Sequence, residues 1–219
     1  MNLKIAVFLL MSAAGGYMVP GCSQKLIEYK CMKRQKEVPE ESRYLSLYKG
    51  ACAIFSMLGL GACACMDSSW PALILVAAIW MTGLVVFLVD LQIRMIANET
   101  VIVLFVFGLC FRILTGGIHS LPNSILTALG VLVIWMIAGF LLGSHQFGAG
   151  DVKLCVVIGF LFGYPDVIFP MFVMTATLFV FCLYSLILHR MTRKSIFPMG
   201  PFVIIGMLAG FPYLLYRMM

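Results

Sequence analysis

The chain has 219 residues, of which 63% are hydrophobic and 11% charged, with a mean hydropathy of +1.06 and a formal net charge of +6. So little polar surface cannot cover a soluble globule, which excludes a water-soluble enzyme or binding domain and makes the bilayer the expected solvent. The positive charge gathers in one segment that carries no nucleic-acid motif, so the partners it implies are lipid headgroups and not nucleic acid.

Apolar runs at 3–20, 50–66, 71–90, 100–114, 121–142, 151–163, 167–188 and 199–216 predict eight helices and an all-α, polytopic membrane fold. A bilayer core of about 30 Å asks for about 20 residues per helix. The runs at 100–114 and 151–163 are shorter, which predicts stubby helices or helices packed inside the bundle. Three regions follow: a first span over 1–20, a short basic loop over 21–50, and a multi-span domain over 51–219.

The opening stretch MNLKIAVFLLMSAAGGYMVPGC also reads as a signal peptide, with one early lysine, an apolar core and small residues before Cys22. Its flanking charge favours a retained anchor, because the heavy basic cluster follows the apolar run instead of preceding it. That cluster comprises Lys25, Lys30, Lys33, Arg34, Lys36, Arg43 and Lys49, beside Glu28, Glu37, Glu40 and Glu41. With an outward N-terminus these seven bases join Arg94, Lys153, Arg190, Arg193 and Lys194 on the cytoplasmic side. Only Lys4, Arg112 and Arg217 remain outside, the asymmetry that the positive-inside rule expects.

The eight cysteines form no C-x-x-C pair, and Cys52, Cys110, Cys155 and Cys182 fall in predicted spans, so packing is their expected role. The sixteen methionines read as adaptable filling between helices. His145 lacks a second ligand at usable spacing, His119 and His189 carry no signal, and no metal or organic cofactor is implied.

Outside the basic loop, Asp67 and Asp166 fall in outer turns, while Asp90, Glu99 and Asp151 fall on the cytoplasmic side. Asp90 ends the third span in GLVVFLVDLQIRMIANET, and Asp151 opens the sixth in FGAGDVKL. Carboxylates at a membrane boundary are costly and mark function or pairing. Two brought together beside low-dielectric protein share one proton, the arrangement with which an aspartic protease activates water. Gly148 and Gly150 suit this role by permitting a sharp turn and a close approach of substrate to Asp151. Paired membrane carboxylates also suit a proton- or cation-coupled transporter, although no internal repeat is evident and the two aspartates lie at one boundary. A silent scaffold with the same fold is the third reading.

The segment G-A-G-D at 148–151, followed by Lys153, resembles the G-x-G-D signature shared by the presenilins and the type IV prepilin peptidases. The upstream D-L-Q-I-R-M-I-A-N, 61 residues before Asp151, is similar to the prepilin peptidase segment in which Asp precedes a basic residue and an Ile-Pro-Asn variant. KSIFPMGPFVIIG at 194–206 resembles the proline-rich, PFGPF-like start of that family's last helix. The resemblance spans about 70–210 and implies a membrane aspartyl endopeptidase. Its dyad would be Asp90 and Asp151, cutting the leader from a prepilin or pseudopilin at the cytoplasmic face of the cell membrane.

Within that resemblance Gly148, Gly150, Lys153, Arg94 and Asn98 are supporting residues. Lys153 tunes Asp151, binds a substrate carbonyl or snorkels; Arg94 and Asn98 position the first aspartate's loop or, for Asn98, cap a helix. Ala97 stands where the family carries proline. The first loop lacks the paired C-x-x-C motifs associated with N-methylation, so the resemblance carries peptidase activity and leaves methylation open. Short enzymes of this kind are similar to those serving pseudopilin, competence or tight-adherence systems.

Overall fold

The computed structural model describes residues 3–33, 45–65, 69–142, 148–188 and 198–218, and among them it is helical without strands. The helices are α1 (Leu3–Lys33), α2 (Leu45–Cys65), α3 (Trp70–Ile93), α4 (Asn98–Gly116), α5 (Leu121–Leu142), α6 (Ala149–Phe162), α7 (Ile168–Ile187) and α8 (Gly200–Met218). A single 3-10 turn, Ile118–Ser120, joins α4 to α5. Eight helices match the expected number, and seven are long and apolar enough to cross a membrane.

The exception is α6. Its 14 residues extend about 21 Å, short of the hydrocarbon thickness. All but one of Leu154 to Phe162 are buried, so this helix is packed within the bundle, one of the alternatives its short apolar run predicted. The other short run belongs to a 19-residue helix, α4. There the apolar stretch understated the element, because Asn98 and Glu99 supply a polar first turn.

The first element departs most from expectation. The helix does not stop at residue 20 but continues through Lys33, with Pro20 inside it. Tertiary contacts override the break: Ile27 and Cys31 bury against Val89 of α3, and Lys30 donates to both carboxylate oxygens of Glu99 at 2.7 and 2.6 Å. The 21–50 loop is therefore helical in its first part and again from Leu45, where α2 begins. Arg34, Lys36, Glu37, Glu40, Glu41 and Arg43 lie outside the described residues.

Helices α3 and α8 form the centre, each with 56% of its span buried, against 17% for the α5 and α7 spans at the rim. The central helix α3 packs on α1, α2, α4 and α8, and α8 packs also on α6 and α7. Phe111, Phe162 and Phe211, all fully buried, join α4, α6 and α8. On the rim, Phe140 and Leu141 are 88% and 74% exposed, as side chains facing lipid are.

Two polar regions mark opposite ends of the bundle. One holds the end of α3 and the starts of α4, α6 and α8. At the other, buried Arg112 donates to Ser124 Oγ at 2.8 Å and to the Phe162 carbonyl at 3.3 Å. There Asn123 donates to the Tyr164 carbonyl, Thr127 accepts from the Tyr164 N–H, and Asp166 pairs with Arg217.

Candidate active site

Asp90 occupies the last turn of α3, four residues before a reversal at Arg94. Arg94 has φ 50° and ψ 45°, the left-handed conformation that ends helices, and its N–H donates to the Asp90 carbonyl at 2.9 Å. The chain then passes through Met95, Ile96 and Ala97 into α4. Asp90 is only 4% exposed, and its Oδ2 accepts the Gly200 N–H at 3.0 Å. The Arg94 charge also acts on it. A carboxyl at the carbonyl end of its own helix thus finds its donor on a different one.

Asp151 sits in the first turn of α6, its N–H donating to the Gly148 carbonyl at 3.0 Å, and its side chain is half-buried. The positive end of the α6 dipole favours an acidic group there. The charge of Asp90 acts on the Asp151 carboxyl, so the fold puts two acids 61 residues apart in the chain within electrostatic reach of one another. Two acids in electrostatic contact, one buried and one half-buried, can share a single proton and offer one base and one acid.

The two motif glycines serve close approach and not an unusual turn. Gly148 has φ −71° and ψ 135°, open to any residue, but a Cβ there would lie 2.7 Å from Asp151 Oδ2. A Cβ on Gly150 would lie 3.1 Å from Ile96 Cβ, where α6 meets the segment that follows Asp90. At both glycines an added Cβ would crowd a neighbour, the Asp151 carboxyl at Gly148 and Ile96 at Gly150.

Lys153 and Asn98 meet directly, Lys153 Nζ donating to Asn98 Oδ1 at 3.3 Å. Asn98 is the first residue of α4 and does not cap it; Ala97 holds the cap position, with no side-chain bond. The pair ties the first turn of α6 to that of α4. The Lys30–Glu99 ion pair adds α1 to the same end of the bundle.

Gly200 was not legible as a site residue. The proline-rich segment around it pointed to the last helix, yet nothing in Met-Gly-Pro announces that its N–H reaches an aspartate 110 positions upstream. His145, His189 and Asp67 lie outside the described residues. Among the described residues no three His, Cys, Asp or Glu side chains converge as a metal site.

Neither a curated protein nor a solved structure matches the chain. The family model described as the type IV leader peptidase family matches residues 75–215, more than half of the chain, and the matched stretch contains Asp90, Asn98, Gly148, Asp151 and Gly200. The chain accordingly belongs to the type IV leader peptidase family.

Proposed function

We propose that this membrane peptidase is an aspartyl endopeptidase that removes the leader from prepilins or pseudopilins at the cytoplasmic face of the cell membrane, with Asp90 and Asp151 as its dyad. The observation that supports this reading is that Asp90 ends α3 and Asp151 opens α6 at the same end of the bundle, where the charge of one acts on the other. Family membership favours peptide hydrolysis over ion transport.

The chemistry follows from one shared proton. The ionised carboxylate takes a proton from water while the water oxygen bonds to the scissile carbonyl carbon, and the protonated partner gives its proton to the carbonyl oxygen. On collapse the diol returns a proton to that partner, the C–N bond breaks, and the first carboxyl protonates the leaving nitrogen. Atoms and charge balance, and the dyad returns to its starting state.

The substrate that fits is a small protein with a basic leader and an apolar helix starting near the cut. Its helix would lie in lipid against the bundle while the scissile peptide reaches the aqueous boundary, so recognition is largely apolar packing. Purified protein in detergent, given a synthetic leader-bearing peptide and no ion gradient, should release the leader. Gradient-coupled ion flux without any cleavage would favour the transporter instead.

A further inference from the structure

We propose that Gly200 is a positioning residue of this site: its N–H, at the start of α8, aims the Asp90 carboxyl, and its missing side chain leaves that carboxyl the space it occupies. The inference rests on the reading of Asp90 as a member of the dyad, and assigns it a third component from a helix that carries neither aspartate.

The two aspartates are served differently by their own helices. Asp151 lies where N–H groups are free, in the first turn of α6. Asp90 lies at the opposite kind of terminus, where N–H groups are consumed within the helix and the dipole disfavours an anion. A donor for Asp90 must come from elsewhere, and α8 supplies it from its first residue at 3.0 Å. Asp90 in return satisfies an N–H at the start of α8, as an N-cap side chain would, although 110 residues separate them.

The second observation is steric and independent of the first. A Cβ built on Gly200 would stand 2.6 Å from Asp90 Oδ2, 3.0 Å from its Cγ and 3.3 Å from its Cβ, and these are its three nearest neighbours. Any side chain at position 200 therefore displaces the Asp90 carboxyl before it meets anything else. Among the described residues, the charge of Arg94, from the end of α3, acts on Asp90, and that of Asp90 acts on Asp151 of α6. The nearby cations of α1 and α6 are engaged, Lys30 with Glu99 and Lys153 with Asn98.

Two variants separate the bond from the space. Replacing Gly200 by glycolic acid, a backbone ester, removes the N–H without adding a side chain, and also weakens the Met199 carbonyl that accepts from Phe202 and Val203. Loss of a donor to the ionised carboxylate should lower kcat about tenfold with KM little changed and move the acid limb of the pH–rate profile upward by about one pH unit. The protonation midpoint of Asp90, read by infrared difference spectroscopy against Asp90→Asn, should move with it. Gly200→Ala should be more severe in kcat, and its destabilisation should largely vanish in an Asp90→Ala background, where the carboxyl it displaces is gone.

An unchanged infrared midpoint in the ester variant would overturn the proposal, as would equal destabilisation by Gly200→Ala in both backgrounds. Neither measurement needs substrate. If wild-type protein cleaved no leader-bearing peptide while both shifts appeared, the peptidase reading would fall and the positioning of Asp90 by Gly200 would stand.

Discussion

In the proposed mechanism Asp90 and Asp151 carry the chemistry through proton exchange, which makes asparagine the sharpest probe. Asp90→Asn and Asp151→Asn keep shape and remove the exchangeable proton, so each should abolish cleavage of a leader-bearing peptide while the protein still folds and inserts. Asn is also cheaper to desolvate than an ionised Asp, so the amount of protein in the membrane should hold or rise. If the two acids act as one unit, as proposed, the double variant should be scarcely slower than either single one; retention of near-normal rate by any of them would dismiss the dyad. Lys153 and Asn98 make a weaker case at 3.3 Å, near the long end of a hydrogen bond. Lys153→Met and Asn98→Ala should each slow cleavage a few-fold, not abolish it, and their effects should be non-additive in a double-mutant cycle if the bond between them is what matters.

Among the elements, α6 shows how a helix too short to cross a bilayer is held inside one. Its carbonyl end is buried at the end of the bundle opposite Asp151, where unpaired C=O groups are expensive, and Arg112 supplies a donor by reaching the Phe162 carbonyl while also holding Ser124 of α5. Arg112 is 8% exposed, so removing it strands a buried carbonyl and a buried hydroxyl. Arg112→Leu should cost about 2 kcal/mol or more, read as a fall in the thermal midpoint in detergent. Arg217 pairs with Asp166 at the same end of the bundle, but its side chain is 47% exposed. Arg217→Leu should cost less than about 1 kcal/mol, and a comparable loss from both would remove the special role given to Arg112. The apolar runs placed all eight helices because hydrophobic length is written locally. They misplaced the end of α1 because what carries that helix past Pro20 is its contact with Val89 and Glu99, far along the chain. The same reason hid Gly200 and the Arg112 contacts: motifs with charged residues stand out in an apolar sequence, whereas a backbone N–H or a carbonyl has no signature until the helices are packed.

For the whole molecule, the packed helices and the charge asymmetry bear on one topology. The end of α3 and the starts of α4, α6 and α8 lie together, while Arg112, Asp166 and Arg217 lie at the other end. Basic residues of the described helices and turns are unequal at the two ends: Lys25, Lys30, Lys33, Lys49, Arg94 and Lys153 toward the dyad end, against Lys4, Arg112 and Arg217 opposite. On the positive-inside rule this asymmetry predicts that the proposed dyad end faces the cytoplasm. Reporter fusions after Arg34 and Arg193 should therefore report cytoplasm, and fusions at Ser69 and His119 should report the exterior. Fusion at Ser69 is the most demanding, because Ser69 directly precedes α3, whose opposite end carries Asp90. A cytoplasmic signal there would put Asp90 on the outer face, away from any leader presented from the cytoplasm, and the proposed cleavage at the cytoplasmic boundary would fail even with the dyad geometry intact.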